Sequence, residues 1–458
     1  MNTPRVTFWG GVGSVTGANF LVESGETKFL VDCGLFQGVP ESREVNKEEF
    51  PYTVTDIQAL FVTHAHIDHI GRIPKLFAAG FTGTVYSTPE SKALSELMLA
   101  DAAHIMANDA RDKNIKPLYT PDDVSKSLNH WKTISYHVDT VISQNVSVRL
   151  LDAGHILGSS MYLFTLTTDG TTRTVLFTGD LGNSPSKLLP DTEYVESANY
   201  VVMDSVYGDR NHEPKEEREA KFKALLLDSI ARKGTVLIPA FSLERTQSIL
   251  YEINNLIEDR QIPSVPVFLD SPLAIRLTKI YEKITNLYNS DVQKDIHGGD
   301  DIYNFPKLKM TAKSDDSRRI HLTPDPKIII AGSGMSTAGR ILHHEAMYLP
   351  DPNATLLLMG YQASGSLGRE LQEGAKIVTI HDQQVQVKAN VITIDGYSAH
   401  KDSEHLIDFV EHMQDDNLRK VFVVMGEPKA SLFLTQRLHD YLSVNALAPE
   451  RGKVYELK

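Results

Sequence analysis

Four metal-binding side chains fall within six residues of this chain, directly after an apolar run. Residues 64–69 read His-Ala-His-Ile-Asp-His and follow the apolar residues 59–62. At a strand end, His64 and His66 would project to the same side, because side chains of extended backbone alternate. The other two ligands would open a helix predicted over residues 68–79. A solvated histidine-rich turn is the alternative, but this spacing at a strand-to-helix junction favours a metal site, and imidazole with carboxylate favours zinc.

Two further candidate ligands follow predicted strands downstream. His155 stands in a Gly-His turn and Asp180 in a Thr-Gly-Asp turn. Alone, each is more often an ordinary turn residue than a ligand. Together with the first cluster they predict two adjacent zinc sites, the first held by His64, His66 and His155, the second by Asp68 and His69, with Asp180 bridging both. A water between two such ions becomes a hydroxide near neutral pH and is positioned for attack.

The remaining chain alternates short apolar runs with helical segments, which is typical of an α/β layered fold. Strands are predicted at 6–9, 19–23, 28–31, 59–63, 84–87, 146–151, 161–166, 174–178 and 200–204, and helices at 68–79, 90–109 and 121–133. From about residue 209, a charged helix at 213–232 begins a second α/β unit with strands at 235–238, 265–269, 328–330 and 355–359. The polar stretch 291–319 is expected to be loop-rich and mobile. A length of 458 residues also favours two or three domains.

Composition narrows the functional classes. No stretch approaches the roughly 18 apolar residues of a membrane span, so no membrane association is expected. The single cysteine, Cys33, is interpreted as a buried strand residue and fits a reducing cytoplasm. The net charge of −13 disfavours a protein that coats nucleic acid non-specifically. A nuclease stays open, because metal ions and a few arginines can supply a local positive field.

The ordered motifs resemble those of the metallo-β-lactamase superfamily of hydrolases, and more narrowly of its β-CASP nuclease family. Besides the metal-binding motifs, the segments 238–242, 333–336 and 360–365 look like landmarks of that family. The resemblance covers nearly the whole chain and extends to prokaryotic homologues of the endonuclease subunit of the cleavage and polyadenylation machinery. It implies an α/β fold in which residues 1–208 and 391–458 form an αββα sandwich. A β-CASP α/β domain would be inserted at 209–390.

The resemblance also implies catalytic residues. The motif A carboxylate of the family matches Asp204, and its motif B histidine matches His400. Asp68 is counted with them as catalytic as well as metal-binding. A carboxylate that keeps a histidine protonated makes a suitable general acid for a departing alkoxide. Asp32 is expected to support the metal site from outside the ligand set.

One residue departs from the family pattern. Members that act on RNA usually carry a histidine ligand in motif C, where this chain has Met425. A thioether is a poor zinc ligand beside imidazole and carboxylate. The second zinc site is therefore expected to be weaker, and DNA becomes an alternative substrate, since DNA-directed members also lack this histidine. The simpler interpretation is that Met425 is an apolar residue at a buried strand end.

Substrate contacts are predicted at a glycine turn and at basic side chains. Ser333 and Gly334 follow a predicted strand, and backbone N–H groups of their turn would face a phosphate. Arg245 and Arg340 are candidate phosphate ligands, with Arg369 as a third. For each arginine, a structural salt bridge is an equal alternative.

The predicted function is cytoplasmic, zinc-dependent hydrolysis of phosphodiester bonds in single-stranded RNA by the bridging hydroxide. A homodimer is suggested by the relatives, and both endonuclease and exonuclease action stay open. Three alternatives remain. They are a DNA nuclease of the same fold, a small-molecule hydrolase acting on a thioester or lactam, and a catalytically weakened member that binds RNA or scaffolds a complex.

Overall fold

The computed structural model describes residues 3–38, 41–363 and 365–458, which fall into two compact units. One unit comprises Met1–Ser186, Asp191–Asn211 and His400–Lys458, and the other comprises Lys187–Pro190 and His212–Ala399. We call them the larger and the smaller unit. Ser364, which belongs to the 360–365 motif, lies outside the described residues.

The strands are numbered in chain order. They are β1 (Arg5–Gly10), β2 (Asn19–Ser24), β3 (Thr27–Val31), β4 (Ala59–Phe61), β5 (Thr84–Ser87), β6 (Trp131–Thr133), β7 (Thr140–Ser143), β8 (Val146–Asp152), β9 (Ser160–Thr168), β10 (Thr171–Phe177), β11 (Tyr200–Asp204), β12 (Thr235–Pro239), β13 (Val267–Asp270), β14 (Leu308–Met310), β15 (Lys327–Ala331), β16 (Thr355–Met359), β17 (Ile377–Ile380), β18 (Gln383–Gln386), β19 (Asn390–Ile394), β20 (Lys420–Val424), β21 (Ala446–Leu447) and β22 (Val454–Glu456).

The α-helices are numbered in the same way. They are α1 (Ser42–Lys47), α2 (Ile67–Ile70), α3 (Ile73–Ala78), α4 (Pro89–Lys113), α5 (Pro121–Asn129), α6 (Lys215–Ala231), α7 (Arg245–Glu258), α8 (Pro272–Tyr281), α9 (Ser290–His297), α10 (Ser314–Arg319), α11 (Ile341–Tyr348), α12 (Leu367–Gln372), α13 (Ser403–Glu411) and α14 (Pro428–Leu442). No helix in the described ranges combines the length and the apolar character that crossing a membrane requires.

The larger unit is built on two seven-stranded sheets that share one apolar core. Their strand orders are β22-β1-β2-β3-β4-β5-β6 and β21-β20-β11-β10-β9-β8-β7. Phe29 and Phe61 of the first sheet pack on Phe164 of the second, with ring centroids 4.7 and 4.9 Å apart. Because side chains alternate along a strand, Leu30 faces the other way, into a cluster that includes Leu76 of α3.

Helices cover the outer faces of both sheets. The cluster outside the first sheet contains apolar side chains of α3, α4 and α5, and the cluster outside the second contains those of α13 and α14. The layers are therefore helix, sheet, sheet and helix, which confirms the predicted αββα sandwich.

The smaller unit contains a six-stranded sheet in the order β14-β13-β15-β12-β16-β19, in which every neighbouring pair is parallel. Strands β12, β13, β15 and β16 are buried at every residue. Such continuous burial is typical of a parallel sheet that is covered on both faces. A separate two-stranded antiparallel sheet consists of β17 and β18.

The helix predicted over residues 68–79 is interrupted. It forms as α2 and α3, with Arg72 outside helical geometry between them. The Arg72 side chain is buried, its Nε–H donates to the carbonyl of Gly34 at 2.5 Å, and its backbone N–H donates to the carbonyl of Cys33 at 2.8 Å. These tertiary hydrogen bonds break the helix, and the local apolar spacing does not reveal them.

Three other local predictions need correction. The helix predicted to reach residue 133 ends at Asn129, and β6 follows, where the indole N–H of Trp131 donates to the hydroxyl of Ser87 at 2.8 Å. The stretch 291–319 is not loop-rich, because most of α9 and all of β14 and α10 lie within it. Cys33 is fully buried as predicted, but it follows β3 and is not part of a strand.

Candidate metal centre

Four of the six predicted metal ligands lie in loops that leave both sheets of the sandwich, and the other two, Asp68 and His69, lie in α2. His64 and His66 precede α2 in the loop after β4, His155 stands between β8 and β9, and Asp180 follows β10. Asp204 is the last residue of β11. These side chains are buried, except those of His66 and Asp68, which are partly buried.

Four of these residues form a compact set of ligand atoms. His66 Nδ1 lies 3.1 Å from His64 Nε2 and 3.2 Å from His155 Nε2. Asp180 Oδ2 lies 3.5 Å from His64 Nε2 and 3.6 Å from His155 Nε2. Ligand atoms about 2.0–2.1 Å from a tetrahedral zinc ion are roughly 3.3 Å apart. The four side chains therefore fit one zinc ion.

A second group of ligand atoms lies beside the first. His69 Nε2 is 3.4 Å from Asp180 Oδ1 and 3.8 Å from Asp68 Oδ2. Both His69 Nε2 and Asp180 Oδ1 are buried without a hydrogen-bond partner. A buried polar atom without a partner is costly. A cation between these two atoms would remove that cost, so the residues predicted for the second site also fit a metal ion.

A buried carboxylate fixes the orientation of His69. Asp32 Oδ2 lies 2.7 Å from His69 Nδ1 and accepts from the hydroxyl of Thr63 at 2.8 Å. The backbone N–H of Thr63 donates to Asp32 Oδ1, also at 2.8 Å. When the N–H of His69 faces Asp32, its Nε2 lone pair points to the metal side.

The electrostatics of the centre follow from burial and from neighbouring charges. Burial, together with the nearby His69, places the pKa of His64 well below its usual range. Burial also lowers the pKa of His69, but the carboxylates of Asp180 and Asp32 outweigh it and raise that pKa well above the usual value. A neutral His64 offers the lone pair that metal binding needs.

His400 and Asp204 come together next to the metal ligands. His400 Nδ1 is 3.7 Å from Asp204 Oδ2 and 3.8 Å from Asp180 Oδ2. Burial opposes protonation of His400, but Asp180 and Asp204 raise its pKa above the usual value. The ligand atoms of the three residues also lie within 4.8 Å of one another, close enough for His400 itself to be a ligand.

The loop after Asp180 holds this pair in place. The N–H of Leu181 donates to Asp204 Oδ1 at 3.2 Å, and its carbonyl accepts from the N–H of Lys401 at 2.8 Å. The buried Lys401 ammonium donates to the carbonyl of Gly182 at 3.1 Å and to the hydroxyl of Ser184 at 3.0 Å. The sequence alone did not identify Lys401 and Thr63 as residues of the site. The one indication is that each stands next to a predicted site histidine.

Met425 occupies an apolar position. Its side chain belongs to the core between the two sheets, and its sulfur lies 2.5 Å from where a Cβ of Gly11 would stand. Its N–H donates to the carbonyl of Gly11 at 2.6 Å. The simpler interpretation of Met425, an apolar residue at a buried strand end, agrees with this position.

The residues predicted to contact the substrate lie in the smaller unit. Ser333 and Gly334 occupy the turn after β15, where the Ser333 hydroxyl accepts from the N–H groups of Thr337 and Ala338 at 2.9 and 3.2 Å. Arg245 is buried, and its guanidinium donates to the carbonyl of Met359.

Arg340 is likewise engaged within the protein. Its guanidinium donates to Asp270 Oδ1 at 2.7 Å and to the carbonyls of Thr311 and Ala312 at 2.6 and 2.9 Å. Asp270 also pairs with His344 Nε2 at 2.8 Å. This network ties α11 to the strand ends of the smaller unit.

Three family models match parts of the chain. They describe a metallo-beta-lactamase superfamily domain at residues 13–146, a Beta-Casp domain at 246–371 and a Zn-dependent metallo-hydrolase RNA specificity domain at 384–449. A protein named Ribonuclease TTHA0252, from Thermus thermophilus, is 33% identical over 434 residues, which cover 95% of this chain and 96% of that protein. The chain belongs to the β-CASP family of the metallo-β-lactamase superfamily. It is therefore a metal-dependent hydrolase, as predicted.

One further relative and one solved structure are also similar to this β-CASP chain. Transcription termination factor FttA from Methanosarcina mazei is 30% identical over 456 residues, which cover 97% of this chain and 70% of that factor. A crystal structure of a protein of unknown function from Enterococcus faecalis superimposes with a TM-score of 0.55 at 12% identity, covering 99% of this chain and all of that one. The last comparison bears on the fold alone.

Proposed function

We propose that this β-CASP enzyme hydrolyses phosphodiester bonds of single-stranded RNA and depends on zinc. The observation that carries the proposal is the set of His64, His66, His155 and Asp180, with ligand-atom separations of 3.1–3.6 Å, next to the Asp204–His400 pair. The similarity to a named ribonuclease and the match to an RNA specificity domain support RNA as the substrate.

The proposed zinc ligands are those predicted from the sequence. His64, His66 and His155 would hold one ion, Asp68 and His69 the other, and Asp180 would contribute one carboxylate oxygen to each. Zinc bound there would lower the pKa of a bound water and polarise the phosphoryl oxygens. Asp32 and Thr63 would keep His69 in the tautomer that leaves Nε2 open.

Side chains of the protein would then orient the attacking water and protonate the leaving oxygen. Asp68, whose side chain is partly exposed, would orient the attacking water by accepting a hydrogen bond from it and would take up the proton that this water loses. His400, held protonated by Asp204, would donate its proton to the leaving oxygen of the cleaved bond. The hydrogen bonds of Leu181 and Lys401 would keep both residues of this acid pair aligned.

DNA is the second candidate substrate, and Met425 is the observation that favours it. The family resemblance associates a missing motif C histidine with DNA-directed members. Ser333 and Gly334 remain proposed phosphate contacts, Ser333 the weaker of the two, because its N–H donates to the carbonyl of Ala338 at 3.0 Å and its hydroxyl accepts from Thr337 and Ala338. Arg245 and Arg340 are weaker proposals, because both guanidinium groups already bind protein carbonyls. The domain boundaries at 208 and 390, a homodimer and the cytoplasmic location stay predictions.

Zinc removal and restoration test the proposal. A chelator should abolish cleavage of an internally labelled single-stranded RNA, and added zinc should restore it, while thioester hydrolysis stays absent throughout. Turnover of the thioester without RNA cleavage would overturn the proposal in favour of a small-molecule hydrolase. RNA binding without cleavage at full zinc occupancy would instead support the non-catalytic alternative.

A further inference from the structure

In the parallel sheet of the smaller unit, the connections that follow two neighbouring strands run in opposite directions. Strands β12 and β15 are neighbours. The connection after β12 runs through α7 to β13, which lies on the far side of β15. The connection after β15 runs the other way, through α11 to β16, which lies on the far side of β12. In open α/β sheets, ligands bind at the carboxyl ends of strands where connections leave in opposite directions. The turns after β12 and β15 meet this condition, as do the turns after β13 and β15, so the carboxyl end of β15 lies at a candidate ligand position.

The turn after β12 presents an aromatic side chain at this position. Phe241 is 39% exposed, and it is the only exposed Phe, Tyr or Trp among the described residues of the smaller unit. The flanking backbone is fixed, since the N–H of Ala240 donates to the carbonyl of Ala331 at 2.9 Å and the hydroxyl of Thr246 donates to the Phe241 carbonyl at 2.7 Å.

The turn after β15 supports the aromatic ring. A Cβ at Gly334 would lie 2.8 Å from both Cδ2 and the backbone N of Phe241, so a side chain there would force the ring or the backbone to move. The ring therefore packs against bare backbone at Gly334 while part of it stays open to solvent. Hydroxyl groups lie nearby, because Ser242 Oγ and Ser271 Oγ are 3.3 Å apart and both face Gly332.

We propose that Phe241 is a stacking platform for an unpaired base of the nucleic-acid substrate. The inference rests on the proposed function and adds to it a base-binding position in the smaller unit. Unpaired bases stack on aromatic side chains with little sequence preference. An enzyme with a net charge of −13 gains little from general attraction to phosphates, and base stacking would add affinity that does not depend on charge.

A double-mutant cycle between protein and RNA tests this platform. The ligand is a fluorescent single-stranded oligoribonucleotide, compared with versions that carry one abasic nucleotide at each position in turn. Affinity is measured by fluorescence anisotropy with the zinc-loaded full chain carrying Asp204→Asn, so that cleavage does not interfere. Phe241→Ala should weaken binding of the intact RNA roughly 5- to 150-fold, the range expected for one stacked base. For the one RNA that lacks the stacked base, Phe241→Ala should weaken binding no further than the missing base already does.

Matched variants distinguish the loss of stacking from the loss of side-chain volume and from misfolding. Phe241→Trp should retain affinity, whereas Phe241→Leu should lose it, because leucine keeps an apolar side chain without an aromatic face. Leu322→Ala, at a residue of the same unit that is 68% exposed, should leave affinity unchanged. Melting temperatures of all variants would show that they fold.

The outcomes distinguish the two proposals. If the Phe241→Ala variant bound RNA as tightly as the protein with Phe241 intact, the stacking platform would be overturned. The same would follow if the effects of the substitution and of the missing base were additive at every abasic position. In both cases the ribonuclease proposal stands. If the protein with Phe241 intact bound no RNA, the ribonuclease proposal and the platform would both fall.

Discussion

His69 Nδ1 lies 2.7 Å from the fully buried carboxylate of Asp32, on the side of the ring opposite the candidate zinc site. This contact predicts that Asp32→Asn lowers zinc affinity about 10- to 100-fold, the usual effect of losing a carboxylate that orients a histidine ligand. Competition with a fluorescent chelator measures the affinity. Asp56→Asn, at a surface carboxylate paired with Lys28 at 2.9 Å, serves as the control. Unchanged zinc affinity in Asp32→Asn would show that His69 needs no such support.

The second prediction concerns the proposed general acid. His400→Ala should reduce the rate of RNA cleavage by about 10²- to 10⁴-fold, the usual contribution of acid–base catalysis, while zinc content stays the same. Mass spectrometry of the native protein counts the bound ions. His405→Ala is the matched control, since His405 pairs with Asp402 at 2.6 Å on a side chain that is 45% exposed. Loss of zinc in His400→Ala would instead make His400 a metal ligand.

Met425 provides a third prediction. Because its sulfur packs between the sheets against Gly11, Met425→Leu should leave zinc content unchanged and cleavage within about two-fold. A volume-conserving swap of this kind should cost less than about 1.5 kcal/mol of stability. Zinc titration and thermal melting check both statements. If the leucine variant lost one equivalent of zinc, the thioether would be a ligand after all.

A fourth prediction concerns the pH dependence of stability in the smaller unit. Glu345 is fully buried, one of its oxygens accepts from the Ser336 hydroxyl at 2.5 Å, and the other has no partner. Burial raises the pKa of Glu345 from 4.5 to about 7. Its protonated form therefore stabilises the fold below pH 4.5, and that stability, on the order of 3 kcal/mol, is lost as the pH rises to about 7.

Glu345→Gln isolates this effect, because glutamine stays neutral at every pH. The variant should melt at a higher temperature than the parent protein at pH 8, and the difference should shrink towards pH 5. Glu370→Gln, at an exposed residue of α12, should show no such trend. A constant difference between the Glu345→Gln variant and its parent from pH 5 to 8 would contradict the raised pKa.

Much of the sandwich was predictable because its strands are marked by short apolar runs in the sequence. Strand β11 forms where its apolar run predicts, at Tyr200–Asp204, and the other strands predicted for the sandwich match within three residues. Strands β6, β7, β20, β21 and β22 were not predicted. Four of the candidate metal ligands were predictable for the same reason, since His64, His66, His155 and Asp180 each stand in a loop that follows an apolar strand. The structure brings one potential ligand atom of each of these four residues to within 4.8 Å of the others.

What sequence did not reveal depends on distant partners. The break between α2 and α3 follows from hydrogen bonds of Arg72 to Gly34 and Cys33, more than thirty residues away. The engagement of Arg340 by Asp270 likewise spans seventy residues. No periodicity in the sequence encodes such contacts, so the arginines looked equally suited to phosphate and to protein acceptors.

The most direct test of the central proposal compares matched single-stranded RNA and DNA of one sequence with the zinc-loaded enzyme. Cleavage should occur on RNA alone and should be lost in Asp180→Ala, which removes the carboxylate shared by both proposed ion sites. Cleavage of DNA in preference to RNA would contradict the proposed substrate and support the alternative raised by Met425. Absence of cleavage on both polymers, with zinc confirmed to be bound, would contradict the nuclease proposal itself.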